Sequence, residues 1–201
     1  MKTELLNFED ETCLRILKAG HVLAFPTETV FGFGVIAEKE AFDELCALKN
    51  RVPDKPFTIM VSEKEEIARF ADLDERSKRL IDRFMPGEIT VLFPAKAGLA
   101  HYLTLGQETV GIRISGKREV RELIRRVGNP MLVTSANFSG MPPLLEEKSV
   151  LTQFEGKIRG IVRGRCESNI PSTIVMIKEG RLSLIRQGSI PFKEIEEEWN
   201  R

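Results

Sequence analysis

Residues 22–34 read VLAFPTETVFGFG, and the run continues through a helix-like segment to Lys49-Asn50-Arg51. Pro26 cannot donate to a sheet ladder, so the apolar strand that delivers it is expected to end there, with Gly32 and Gly34 letting the next segment turn. Thr27 and Thr29 then lie just past a strand end, a place where open α/β sheets gather ligand-binding groups. Lys49 and Arg51 leave the helix at its C-terminal end, where cations also simply complement the helix dipole. The stretch reads as strand, irregular loop, helix and a pair of cations.

Outward from it, the apolar periodicity alternates between strand and helix. Residues 9–19 place Cys13, Leu14, Ile16 and Leu17 at helical spacing with Gly20 as a stop, and residues 40–49 repeat the pattern. Residues 57–61 form a short strand, and Ser62 with Glu65 is a capping box opening a helix through Phe70. A helix from about Asp74 ends at Pro86-Gly87 before a strand over 89–93, and residues 95–108 read as loop. Strand 110–114, helix 118–127 and strand 131–134 follow, the last running into Ser135-Ala136-Asn137. A short helix over 147–155, a candidate strand at Ile161-Val162 and a hairpin of 173–177 with 182–185 complete the chain before a charged tail from Pro191. Strands alternating with helices early and a hairpin late predict an α/β protein with an open, twisted, mixed sheet flanked by helices. With 201 residues and no dividing linker, residues 1–201 are expected to form a single domain.

Composition narrows the function classes. Lys plus Arg and Asp plus Glu both total 30, so a globally basic nucleic-acid binder is not indicated. The acidic N-terminus and the lack of any ~20-residue apolar run predict a cytoplasmic protein without membrane association. Three scattered cysteines and two histidines argue against a disulfide framework and against an all-protein metal site; a metal is expected to arrive on a phosphate substrate.

Two near-motifs are set aside. Gly32 to Ala37 fits G-x-G-x-x-A, but Pro26 to Phe31 separates it from its strand. Gly111 to Lys117 fits most of a P-loop, yet Arg118 occupies the Ser/Thr position and the first glycine lies inside a strand. No G-x-S-x-G elbow exists, and the many carboxylates read as solvated helix faces. What remains at strand ends is Thr27, Lys49, Arg51, Thr109, Arg113, Ser135, Asn137, Ser172, Thr173 and Arg186, cations and hydroxyls with one amide. Such a set can bind polyphosphate and a zwitterionic amino acid, although for any single Ser or Thr a local turn hydrogen bond is the commoner role.

Seven segments, PTETVFGFG, KNRVPDKPF, PGEITVLF, TVGIRIS, VTSANFSG, PSTIVMI and LIRQGSI, occur here in the order found in the YrdC/Sua5 family, the threonylcarbamoyl-AMP synthases. The chain resembles that family from about Gly20 to Gly188. The resemblance implies a YrdC-like fold and synthesis of threonylcarbamoyl-AMP and pyrophosphate from L-threonine, bicarbonate and ATP, with Mg²⁺ carried on the ATP. This is the first step of N6-threonylcarbamoyladenosine (t6A) modification of tRNA. It assigns Lys49 and Arg51 as catalytic, ATP contacts to Lys49, Arg51, Thr109, Ser135, Asn137 and Arg186, and threonine contacts to Thr27, Arg113, Ser135 and Ser172. Downstream t6A transferase proteins would take the product, and any direct tRNA contact would be weak. Many long members carry His near the end of the strand after K-x-R; Met60 stands there in this chain. The chain ends soon after LIRQGSI, which corresponds to the short form. Rival readings are an RNA-binding module, from the basic stretches 113–126 and 157–165, and a related domain handling carbamoyl groups.

Overall fold

The computed structural model describes residues 2–50 and 55–201. Its apolar segments pair edge to edge as β1 (Glu4–Leu6), β2 (Leu23–Pro26), β3 (Phe31–Ile36), β4 (Thr58–Met60), β5 (Ile89–Pro94), β6 (Thr109–Arg113), β7 (Met131–Ser135), β8 (Gly160–Val162), β9 (Thr173–Lys178) and β10 (Arg181–Arg186). The order across the sheet is β1-β8-β2-β3-β7-β4-β6-β5-β9-β10, with parallel pairs such as β4–β6 and β5–β9 beside antiparallel ones, so the mixed α/β sheet expected from the sequence is present. Helices α1 (Glu11–Lys18), α2 (Lys39–Lys49), α3 (Glu75–Phe84), α4 (His101–Thr104), α5 (Arg118–Val127), α6 (Glu147–Phe154) and α7 (Phe192–Trp199) connect and cover it. None of them is long and apolar enough to cross a membrane.

The largest departure from the sequence reading lies in the opening stretch. Phe31–Ile36 is not loop but a fully buried strand, folded back antiparallel on β2 with Pro26 opposite Phe31. Its glycines serve packing rather than turning: a Cβ on Gly34 would meet the Met131 side chain and lie 2.6 Å from Phe25 Cε1. The Phe25 ring therefore lies where a side chain on β3 would otherwise stand. The turn itself is four residues long and is built by Thr27, whose Oγ1 donates to Val30 O (2.7 Å) and accepts from the Thr29 and Val30 N–H groups.

Smaller differences have equally local causes. The capping box is shifted by one residue, to Glu63 and Glu66, and opens a 3-10 helix, Lys64–Arg69, while the Ser62 hydroxyl donates to the same Glu66 carboxylate. A short helix, α4, interrupts the segment read as loop. The charged tail forms α7, whose Ile195 and Trp199 are buried and whose contacts run to α3 and β10. The hairpin is as expected, β9 and β10 being joined through Glu179 and Gly180, both at positive φ, as a two-residue turn of this hand requires.

Candidate active site

Sheet order brings residues distant in sequence to one place. β3 pairs Gly32 with Ser135 of β7, β4 pairs Met60 with Arg113 of β6, and β10 pairs Arg186 with Ile174 of β9. Because side chains on a strand alternate, Gly32, Ser135, Met60, Arg113 and Arg186 open on a cavity of about 180 Å³, also lined by Thr27, Thr29, Thr58, Thr90 and Ser172. That is below the ~300 Å³ at which pockets for drug-sized ligands begin, so it suits a small polar molecule.

One end of the cavity is cationic. Arg113, 6% exposed, donates through Nη2 to Glu28 Oε1 at 2.7 Å and to Thr29 Oγ1 at 3.1 Å, while its buried Nε has no protein partner. Arg186 reaches the same cavity and grips Ser172, with Nε and Nη2 both donating to the Ser172 carbonyl at 3.2 and 2.8 Å. The Ser172 hydroxyl in turn lies 3.1 Å from Thr90 Oγ1 on β5. Burial first, and the neighbouring Arg113 charge second, draw the Arg186 guanidinium below its ordinary pKa. Two partly desolvated guanidiniums with unspent donors are a receptor for an anion.

Glu28 was not singled out from the sequence, yet it is 5% exposed and central. Oε1 accepts from Arg113 and from the Gly116 N–H (2.8 Å), Oε2 from the Ser115 hydroxyl (2.5 Å) and from the Lys117 N–H (3.4 Å). Burial alone would raise its pKa, but Arg113, Ser115 and Gly116 together hold the carboxyl below the usual value. The P-loop-like stretch thus does bind an anion at the start of α5, and the anion is the protein's own. The signal available in the sequence was that Glu28 sits between two threonines in the same short turn.

The other end centres on Lys49, 4% exposed at the end of α2. Its Nζ donates to Ser135 O (2.9 Å), Asn137 O (2.5 Å) and Asn137 Oδ1 (2.9 Å), and stands 6.0 Å from the Phe33 ring centroid. The Ser135 hydroxyl donates to Asn137 Oδ1 (2.6 Å), and Asn137 Nδ2 ties the turn to Phe138 O and Met141 O. The K-x-R lysine and the S-x-N pair therefore form one buried unit across almost ninety residues of sequence. Arg51 lies outside the described residues.

Of the sequence-assigned residues, Thr27, Arg113, Ser135, Ser172 and Arg186 line the cavity and Lys49 and Asn137 adjoin it through Ser135. Thr109 does not line it. It begins β6, four residues and about 13 Å along the strand from Arg113, on the same face with Gly111 between them. Met60 does line the cavity. Among the described residues no group of three His, Cys, Asp or Glu side chains is placed to hold a metal ion.

The comparisons with known proteins agree with this fold. The Sua5/YciO/YrdC family model, described as "Telomere recombination", matches residues 15–188. The chain belongs to the Sua5/YciO/YrdC family. A protein of Pyrococcus abyssi named threonylcarbamoyl-AMP synthase is 32% identical over 183 residues, covering 90% of this chain and 54% of that protein. A relative from Methanocaldococcus jannaschii is 32% identical over 201 residues, covering 96% of this chain and 93% of its own length. The crystal structure of P. abyssi Sua5 complexed with L-threonine superposes with a TM-score of 0.89 at 30% identity, over 98% of this chain and 60% of that one. Beside the P. abyssi protein, this member of the Sua5/YciO/YrdC family spans about half the length.

Proposed function

We propose that this chain joins L-threonine, bicarbonate and ATP into threonylcarbamoyl-adenylate with release of pyrophosphate, the first step of t6A formation in tRNA. The observation that carries the reading is the juxtaposition, in one small cavity, of Arg113 and Arg186 beside the Lys49–Ser135–Asn137 unit. The amino-acid carboxylate is neutralised at the arginine end. The threonine amine adds to bicarbonate with loss of water, the resulting carbamate oxygen attacks the α-phosphorus, and the bond to pyrophosphate breaks. No side chain need act as a strong base, because the work is alignment and charge neutralisation by fixed donors. ATP exceeds the cavity and would extend from it along the sheet face that bears Thr109, entering as its Mg²⁺ complex. Arg51, by resemblance, completes the phosphate contacts.

The RNA-binding alternative loses support from the pairing of its cations. Arg121 donates to Ser115 O and Gly116 O, Arg125 pairs with Glu63 and Glu122, and Arg126 bonds Phe8 O, Glu9 O and Glu11. Pyrophosphate release measured with threonine and bicarbonate omitted in turn tests the proposal. Release should require both, without added tRNA; release indifferent to either would refute it.

A further inference from the structure

Glu28 does not line the cavity, yet Arg113, which it holds, does. Its two oxygens take four donors from Arg113, Ser115, Gly116 and Lys117, and its own carbonyl accepts from the Ser168 N–H at 3.1 Å. The shared Nη2 bond fixes the Arg113 guanidinium with Nε left over. Among the described lining residues, Arg113 and Arg186 are the ionised groups, so with Glu28 behind them the arginine end carries one net positive charge.

Resting on the function proposed above, we propose that Glu28 is a positioning and charge-balancing residue that makes the Arg113–Arg186 end a receptor for one singly charged anion. A carboxylate entering there leaves the end neutral, whereas a doubly charged oxyanion leaves an excess negative charge in a partly desolvated site, which low dielectric penalises. Without Glu28 the same two arginines would carry two charges and would suit a dianion, the usual preference of paired guanidiniums for phosphate-like groups. On this reading Arg186, which the resemblance assigns to ATP, serves the amino-acid carboxylate instead, and Glu28 separates that site from the phosphate contacts at the lysine end.

The test is site-specific. Arginine side-chain Nε–H resonances of Arg113 and Arg186, assigned with Arg113→Lys and Arg186→Lys, are followed during titration with L-threonine, acetate or sulfate at constant ionic strength. In the wild-type protein L-threonine and acetate should shift both signals and sulfate should not. In Glu28→Gln, sulfate should shift them with affinity raised about tenfold and L-threonine should bind about tenfold more weakly, the scale of one charge-assisted contact. Ser115→Ala, which removes a donor but no charge, should keep the wild-type order of anions. Sulfate acting on the wild type as readily as acetate would overturn the inference, as would an unchanged order in Glu28→Gln. Should Glu28→Gln not fold, the wild-type and Ser115→Ala titrations still decide. Acetate binding without L-threonine binding would instead count against the proposed function and leave the charge argument standing.

Discussion

Replacing Lys49 by Met keeps length and removes the ammonium, and the structure predicts a loss of stability as well as of activity. Three oxygens, of Ser135 and Asn137, would lose a donor, at roughly 1–3 kcal/mol for each one left buried and unsatisfied. Two considerations reduce that sum. Asn137 Oδ1 keeps the Ser135 hydroxyl and Ser135 O keeps the Asn137 N–H, and the desolvation of a buried ammonium, several kcal/mol, is recovered. The net expectation is a loss of about 2 kcal/mol, or about 4–8 °C in Tm for a chain of this size. Thermal unfolding followed by circular dichroism, without nucleotide, measures it. A lysine serving only the ligand would behave oppositely, because removing a buried cation that the fold does not use should stabilise the apo protein. An unchanged or raised Tm in Lys49→Met would refute the view that the ammonium clamps the Ser135–Asn137 turn.

Three further expectations follow from the same contacts. Arg186→Lys keeps the charge but cannot make both bonds to the Ser172 carbonyl, so ATP use and threonine affinity should weaken together, by about tenfold in kcat/KM; an effect on ATP alone would place Ser172 outside the shared unit. Lys117→Ala should leave kcat/KM within about twofold, since the side chain pairs with Glu167 on the surface and only the backbone N–H reaches Glu28; a large loss would restore the P-loop reading. Glu28 has its pKa lowered by folding, so its stabilisation is complete above the ordinary carboxylate range and is lost as pH falls through the depressed folded value. Glu28→Gln should therefore be less stable than wild type at pH 7, with the gap closing below about pH 4 in urea titrations, and a gap independent of pH would exclude this linkage.

Apart from β3, the strands longer than three residues and the helices α1, α2, α3, α5 and α6 were legible from periodicity, as was the Gly20 stop. β1, three residues long, gives no period to read. β3 was hidden because its glycines have the composition of a turn, and the reason for them, the Phe25 ring across the hairpin, is a tertiary fact. The site was legible as a set of residue types, several of which line one cavity; their roles are what the resemblance implies. The organisation of the site was not legible: the bonds from Lys49 to Ser135 and Asn137 and from Arg113 to Glu28 join elements far apart in the chain, and nothing in local spacing encodes them. Thr27 combines both readings, since its hydroxyl is committed to the turn and its position still lines the cavity.

Arg186 ends, and Ser172 immediately precedes, a hairpin held to the rest of the sheet through the parallel contact of β9 with β5, while Met60 and Arg113 come from earlier strands and Thr27 from the turn between β2 and β3. Occupancy of the cavity would then act as a cross-link between early and late chain. A ligand present at a hundredfold excess over its Kd adds about 2.7 kcal/mol against any opening that separates its contacts. Undocking of β9 and β10 is such an opening, whereas fraying of β1 at the opposite edge is not. Amide hydrogen exchange in β9 would therefore slow on binding while β1 kept its rate, turning the last strands of the sheet into the reporter of an occupied site.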